Sequence, residues 1–240
     1  MSRPEVLLVH GSCHGAWCWR DLQESLKEHD IPSRAIDLPS HGNDPTPYSD
    51  VTLAHYRDAI LGDIADHGDA PVILVGHSAG GFAISAAAEV APDKIVHLVY
   101  VAAYVPISGM SLADMRRLAT RQLVLDAIEK TNDGRAFTFC ADRATAALYN
   151  DCSDEQIAYA LERLCPQPIA PQETALFLSE AYESVPRTTV ICTDDHTIAP
   201  EEQEKMALGF ETDSIHRLAS SHSPFFSMPD ELAKNIAQTT

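Results

Sequence analysis

This chain of 240 residues is short of basic side chains, has no long apolar run and shows no ordered cysteine spacing. Each shortage removes a class of function. Seventeen Lys and Arg stand against 35 Asp and Glu, a formal charge of −18. Nucleic acid and anionic membrane surfaces both need clustered basic groups, so neither is an expected partner. No apolar stretch approaches the roughly 18 residues of a membrane-spanning helix. The opening MSRPEVLLVHGS lacks the longer apolar core and small-residue cleavage site of a secretion signal, and its VLLV reads as a buried strand. The six cysteines, Cys13, Cys18, Cys140, Cys152, Cys165 and Cys192, are irregularly spaced and include no Cys-x-x-Cys pair. Reduced thiols and a cytoplasmic location are the expectation.

What is there is a rhythm of short apolar runs separated by helical patterns. Strands are expected at EVLLVH (5–10), SRAID (33–37), PVILVGH (71–77), KIVHLVYVAA (94–103), TTVICT (188–193) and TDSIHRL (212–218). Several are apolar on both faces, as strands of a parallel sheet buried between helix layers are. Amphipathic segments near 17–29, 52–67, 79–90, 201–209 and 230–238 lie between or after them, which makes α/β the fold class, with a mostly parallel six-stranded sheet flanked by helices. From Tyr104 to Pro186 the rhythm stops. That interval holds helical patterns such as SLADMRRLATRQLVLDAIEK and no convincing strand. Residues 1–103 and 187–240 are therefore expected to form the core and 104–186 an inserted helical cap.

The strand PVILV runs into GHSAGG and then into the Ala-rich FAISAAAEV. Gly76, Ser78 and Gly80 thus form Gly-x-Ser-x-Gly at a strand–turn–helix junction. A serine nucleophile exposed on so sharp a turn needs small residues two positions to either side, where a side chain would collide. The amide of Ala79 would point at a developing oxyanion from the helix start. A helix N-cap serine in a glycine turn is the plainer alternative, and the buried strand and helix on either side argue against it.

The stretch HGSCHGAWCW (10–19) crowds two histidines, two cysteines and two tryptophans around glycine. His10 and His14 are four apart, but Gly11 discourages a helix and zinc needs three or four ligands in ordered spacing, so no metal is expected. The loop follows the first strand, where a second oxyanion donor is required, and the backbone N–H of Ser12 meets that need. His10 and His14 would then fix the loop by hydrogen bonds, and Trp17 and Trp19 would begin a helix.

A serine nucleophile needs a base and an orienting carboxylate, which in such sheets follow in the order Ser, acid, His. TTVICT ends in Asp194 and Asp195, and spacing does not separate the two. His222 lies after the last strand and before the terminal helix. His196 leaves no acid in order behind it, and His216 sits within a strand.

HGSCHGAWCW, VGHSAGG, YVAAYVP, CTDDHTIAP and the late Ser-His resemble the α/β-hydrolase superfamily, most closely its branch of plant methylesterases and hydroxynitrile lyases with their bacterial relatives. The resemblance spans 5–103 and 187–239 and is weak in the insertion. It implies the α/β-hydrolase fold, selects Asp195 through the family's Cys-Thr-x-Asp stretch, and assigns the oxyanion amides to Ser12 and Ala79. The lyases of this branch carry a threonine after the first loop histidine and a lysine after the catalytic histidine. Here those positions are Gly11 and Ser223, so an esterase is expected. Its triad would be Ser78, Asp195 and His222, acting through an acyl-enzyme without metal or organic cofactor. The substrate is expected to be a small uncharged ester in an apolar pocket lined by Leu118, Phe137 and Phe139. A homodimer is compatible with the sequence. The alternatives are a hydroxynitrile lyase or lactonase on the same triad, and a non-catalytic small-ligand binder, which would need no intact triad.

Overall fold

The run after Glu5 has all four side chains fully buried, which an amphipathic helix could not achieve, and it forms strand β1 (Val6–Val9). In the computed structural model, which describes residues 3–239, the chain then alternates strand and helix. Helix α1 (Arg20–Glu28) is followed by β2 (Ser33–Ile36), α2 (Leu53–Asp66), β3 (Val72–His77), α3 (Gly80–Val90) and β4 (Ile95–Val101). Thr52 starts α2 with a reciprocal cap. Its hydroxyl accepts the His55 amide, and the His55 ring accepts the Thr52 amide. Leu22 and Leu26 anchor α1, one turn apart on its buried face.

The insertion begins after Ala103. It contains α4 (Leu112–Leu118), β5 (Ile128–Lys130), β6 (Ala136–Phe139), α5 (Ala141–Leu148), α6 (Asp154–Leu161), β7 (Gln167–Pro168), α7 (Ala170–Glu173) and α8 (Glu180–Glu183). The expectation of a purely helical segment is corrected here, because β5, β6 and β7 form a small antiparallel sheet. With two to four residues each, these strands are too short to show a period in the sequence. The chain then returns to the core through β8 (Arg187–Cys192), α9 (Pro200–Met206), β9 (Ile215–Leu218), α10 (Pro224–Ser227) and α11 (Pro229–Ala237).

The main sheet has the order β2-β1-β3-β4-β8-β9, and every pair is parallel. Alternate side chains enter two separate cores. Val6, Leu8, Ile73, Val75, Val99 and Val101 meet α1 and α11 on one face. Leu7, Val9, Leu74 and Leu98 meet α2 and α3 on the other. This two-residue alternation between apolar layers is what the doubly apolar runs required. A fully buried Val or Leu contributes about 1.5–3 kcal/mol relative to exposure, so the central strands are the stable floor of the molecule.

The order also fixes where chemistry can occur. The chain passes from β1 to β2 on one side and then to β3 on the other. The loops after β1 and β3 therefore part and leave a crevice at their carboxyl ends.

Candidate active site

Ser78 follows β3 with φ +52°, a left-handed conformation that costs a non-glycine residue about 1–3 kcal/mol. The glycines around it show why the motif has its spacing. A Cβ on Gly76 would lie 2.8 Å from Ile84 Cδ1, and one on Gly80 would lie 2.7 Å from the His10 carbonyl oxygen. At Gly81 the clash would be with the Tyr104 carbonyl oxygen, closer still. The turn is also tied to the end of β4. The Ser78 amide donates to Val101 O (3.2 Å), and the Tyr104 amide donates to Ser78 O (3.1 Å).

Asp195 and His222 meet at the ends of β8 and β9. His222 Nδ1 lies 2.8 Å from Asp195 Oδ2, and both residues are buried. With the carboxylate as acceptor, the imidazole proton sits on Nδ1 and leaves Nε2 as a free base. Asp195 is over-determined. Its Oδ1 accepts the amides of Thr197 (2.6 Å) and Ile198 (2.9 Å), and Oδ2 also accepts Gln203 Nε2 (2.8 Å). The neighbouring Asp194 is exposed and accepts from Asn150 instead. Of the two aspartates, Asp195 is the one that meets His222. His196 is exposed and bonds the Ala146 carbonyl, away from this pair.

The loop after β1 works through its backbone. Gly11 passes so close to the turn after β3 that a Cβ there would lie 2.8 Å from Ser78 Cβ and 2.7 Å from His77 Nδ1. The two loop histidines hold it in place. Leu38 N donates to His10 Nε2 (3.0 Å), so Nδ1 carries the proton and donates to Gly11 O (2.8 Å). His14 Nδ1 likewise donates to Ser12 O (2.7 Å), and its Nε2 accepts the Tyr149 hydroxyl (2.7 Å). Burial lowers the pKa of both, that of His14 to about 4, so both rings are neutral. Burial also pushes the Cys13 and Cys18 thiols well above their usual range, which fits packing rather than nucleophilic chemistry. Among the described residues no set of three or more His, Cys, Asp or Glu could hold a metal ion.

Ser12, Ser78, Ala79 and His222 line one small pocket of about 30 Å³. The amides of Ser12 and Ala79 have no protein acceptor among the described residues. Phe137 and Phe139 line this pocket as expected, but Leu118 does not. Leu118 is 71% exposed and borders an adjoining cavity of about 460 Å³. Tyr104, Arg116, Val124 and Thr197 border both spaces.

Three polar residues of this region were not anticipated. Gln203 braces Asp195, Gln172 donates from Nε2 to Ser12 Oγ (2.8 Å), and His77 donates from Nε2 to the His222 carbonyl (2.8 Å). Gln203 did leave a trace, as the one uncharged polar side chain in the charged helix PEEQEKM. Gln172 left none.

A model of the alpha/beta hydrolase family matches residues 6–235. Methylesterase 7 of Arabidopsis thaliana is 30% identical over 244 residues, covering 96% of this chain and 94% of its own. Putative methylesterase 12, chloroplastic, of the same plant is 30% identical and covers 98% and 71%. Among solved structures, a pyrethroid hydrolase from Sphingobium faniae JZ-2 superposes with a TM-score of 0.87 at 26% identity, covering 98% of this chain and 96% of that one.

Proposed function

The chain belongs to the alpha/beta hydrolase family, and from that premise we propose that it is a serine carboxylesterase with Ser78 as nucleophile, His222 as base and Asp195 as orienting acid. The observation that carries this reading is the buried His222–Asp195 pair, which leaves Nε2 of His222 as the acceptor in the pocket that Ser78 lines. His222 takes the Ser78 proton as the hydroxyl attacks the ester carbonyl, and Asp195 steadies the imidazolium. The Ser12 and Ala79 amides receive the oxyanion. His222 then protonates the leaving alcohol and activates water, which releases the acid from the acyl-enzyme.

The substrate is a small ester, a reading supported by the tight space around Ser78 and by relatives that bear the name methylesterase. An esterase is favoured over a hydroxynitrile lyase because the buried, uncharged Ser223 follows His222 where such lyases carry a lysine, so no cation stands there to stabilise departing cyanide. Residues 104–186 act as the cap over the site. The six free thiols, three of them buried, support a reducing, cytoplasmic compartment. Among the described residues no helix is long and apolar enough to cross a membrane.

The test is steady-state hydrolysis of p-nitrophenyl acetate, butyrate and octanoate by the wild type, Ser78→Ala, His222→Ala and Asp195→Asn. Each variant is expected to lose about 10³–10⁴-fold or more in kcat while keeping its fold. A wild type no faster than Ser78→Ala on every ester would overturn the reading in favour of a binding protein or lyase.

A further inference from the structure

The walls of the 460 Å³ cavity beside Ser78 carry several cations, and all but one are neutralised. Arg121 is bidentate to Glu201, Arg187 is held by Glu183 and Lys205 by Glu202. Arg116, on α4, is the exception. Among the described residues, every other Lys or Arg is either exposed or within 4.0 Å of a carboxylate, and Arg116 is neither. Its Nε is buried with no hydrogen-bond partner.

The acids and phenols near Arg116 do not answer it. Asp114, two residues earlier on α4, is taken by Ser111 and Arg117. Tyr104 lines the same two spaces, but burial pushes its phenol up to about 12 against the opposing pull of Arg116, so it remains a neutral hydroxyl. A buried donor left unmatched destabilises the fold, so stability alone does not account for the guanidinium. In a chain of formal charge −18, an uncompensated cation in a substrate cavity is conspicuous.

We propose that Arg116 is a specificity-determining residue, whose guanidinium binds an oxygen acceptor carried by the substrate beyond the scissile ester. The acceptor is a second carboxylate in a half-ester or a second carbonyl in a neutral diester. The proposal rests on the esterase reading and extends it. Arg116 borders both the small pocket of Ser78 and the larger cavity, so a substrate with its ester at Ser78 and an acceptor several atoms away would span the two. A guanidinium gives such an acceptor two parallel donors, and a carboxylate would be bound more strongly than a carbonyl.

The experiment follows acid release in a pH-stat for methyl valerate, dimethyl glutarate and the monomethyl esters of succinate, glutarate and adipate. Wild type, Arg116→Met and Arg116→Lys are compared. The wild type is expected to prefer at least one acceptor-bearing ester over methyl valerate in kcat/KM. Arg116→Met should reduce that preference about tenfold or more, mainly through KM, and Arg116→Lys should retain part of it. An effect on the half-esters assigns an anion subsite, and an effect on the diester alone assigns a neutral one. Equal losses on all esters, or no preference in the wild type, would overturn the proposal. If the wild type hydrolyses none of them, the esterase reading fails separately. Calorimetric titration of Ser78→Ala with monomethyl glutarate, with and without Arg116→Met, then decides. Binding lost with Arg116 sustains the subsite, and binding indifferent to Arg116 removes it.

Discussion

The end of the main sheet and the 104–186 insertion border the same serine, and each holds a charged side chain there in a different way. At the sheet end Asp195 accepts four donors, and His10 and His14 each have both ring nitrogens engaged. The insertion is built of helices of four to eight residues, leaves Leu118 and Phe177 more than 70% exposed, and turns an unpaired Arg116 towards the cavity. The sheet end surrounds its carboxylate with donors, while the insertion leaves the Arg116 guanidinium without a carboxylate, which on the proposal above a substrate would supply. On the two proposals above, precision of chemistry and choice of substrate would fall to different parts of the chain.

The sharpest way to break this division is to disturb the sheet end alone. Gly80→Ala sets a Cβ against the His10 carbonyl, and backbone on both sides prevents easy relief. We expect a loss of about 100-fold in kcat from misplacement of Ser78 and about 1–3 kcal/mol in stability, measured by ester hydrolysis and urea unfolding. A near-neutral Gly80→Ala would mean that the turn is as forgiving as the insertion.

Acid is the second lever. The pKa of His14 is about 4 in the folded chain, below its ordinary value of 6.5, so the unfolded chain binds the extra proton. The stabilisation is complete above about pH 6.5 and is lost as pH falls towards 4, on the order of 3 kcal/mol in all. Burial lowers His10 and His77 as well, which steepens the same slope. Urea unfolding at pH 7.5 and 4.5 should therefore show a shallower decline in His14→Gln than in the wild type. Matching declines would shift the acid sensitivity away from the loop after β1.

The smallest expected effect tests the one bond that joins the two regions at Ser12. Gln172→Ala removes a hydrogen bond worth about 0.5–1.5 kcal/mol of stability, so the melting temperature should fall by about 2–4 °C, and kcat by about two- to tenfold as Ser12 loses its anchor. A stability loss without a kinetic one would make Gln172 a structural residue of the insertion and nothing more.

The contrast also explains what the sequence disclosed. Strands such as VLLV and VILVGH announced themselves because a parallel strand buried on both faces is a continuous apolar run. Ser78 stands out in the sequence as a candidate because its strained turn restricts residues that are close in sequence, and His222 because chain order limits the candidates. Asp194 and Asp195 could not be separated by spacing, since what distinguishes them is burial and the donors of Thr197, Ile198 and Gln203. The insertion was read least well. QP, IEK and AFTF are too short to carry a period, and Arg116 looks on paper like any arginine in a charged helix. Its lack of a partner is a property of space, not of sequence.

The neutral imidazoles have a consequence for where protons travel. His14, His77 and His222 all line the pocket of Ser78, yet only His222 has a carboxylate behind it. The other two spend one nitrogen on a backbone carbonyl and are made weakly basic by burial. On the esterase reading proposed above, a proton leaving Ser78 would meet several nitrogens and find one competent receiver, and the departing alcohol would be served by that same donor. On that reading the crowding of histidines would be a means of exclusion, filling the neighbourhood of the serine with groups that cannot divert its proton.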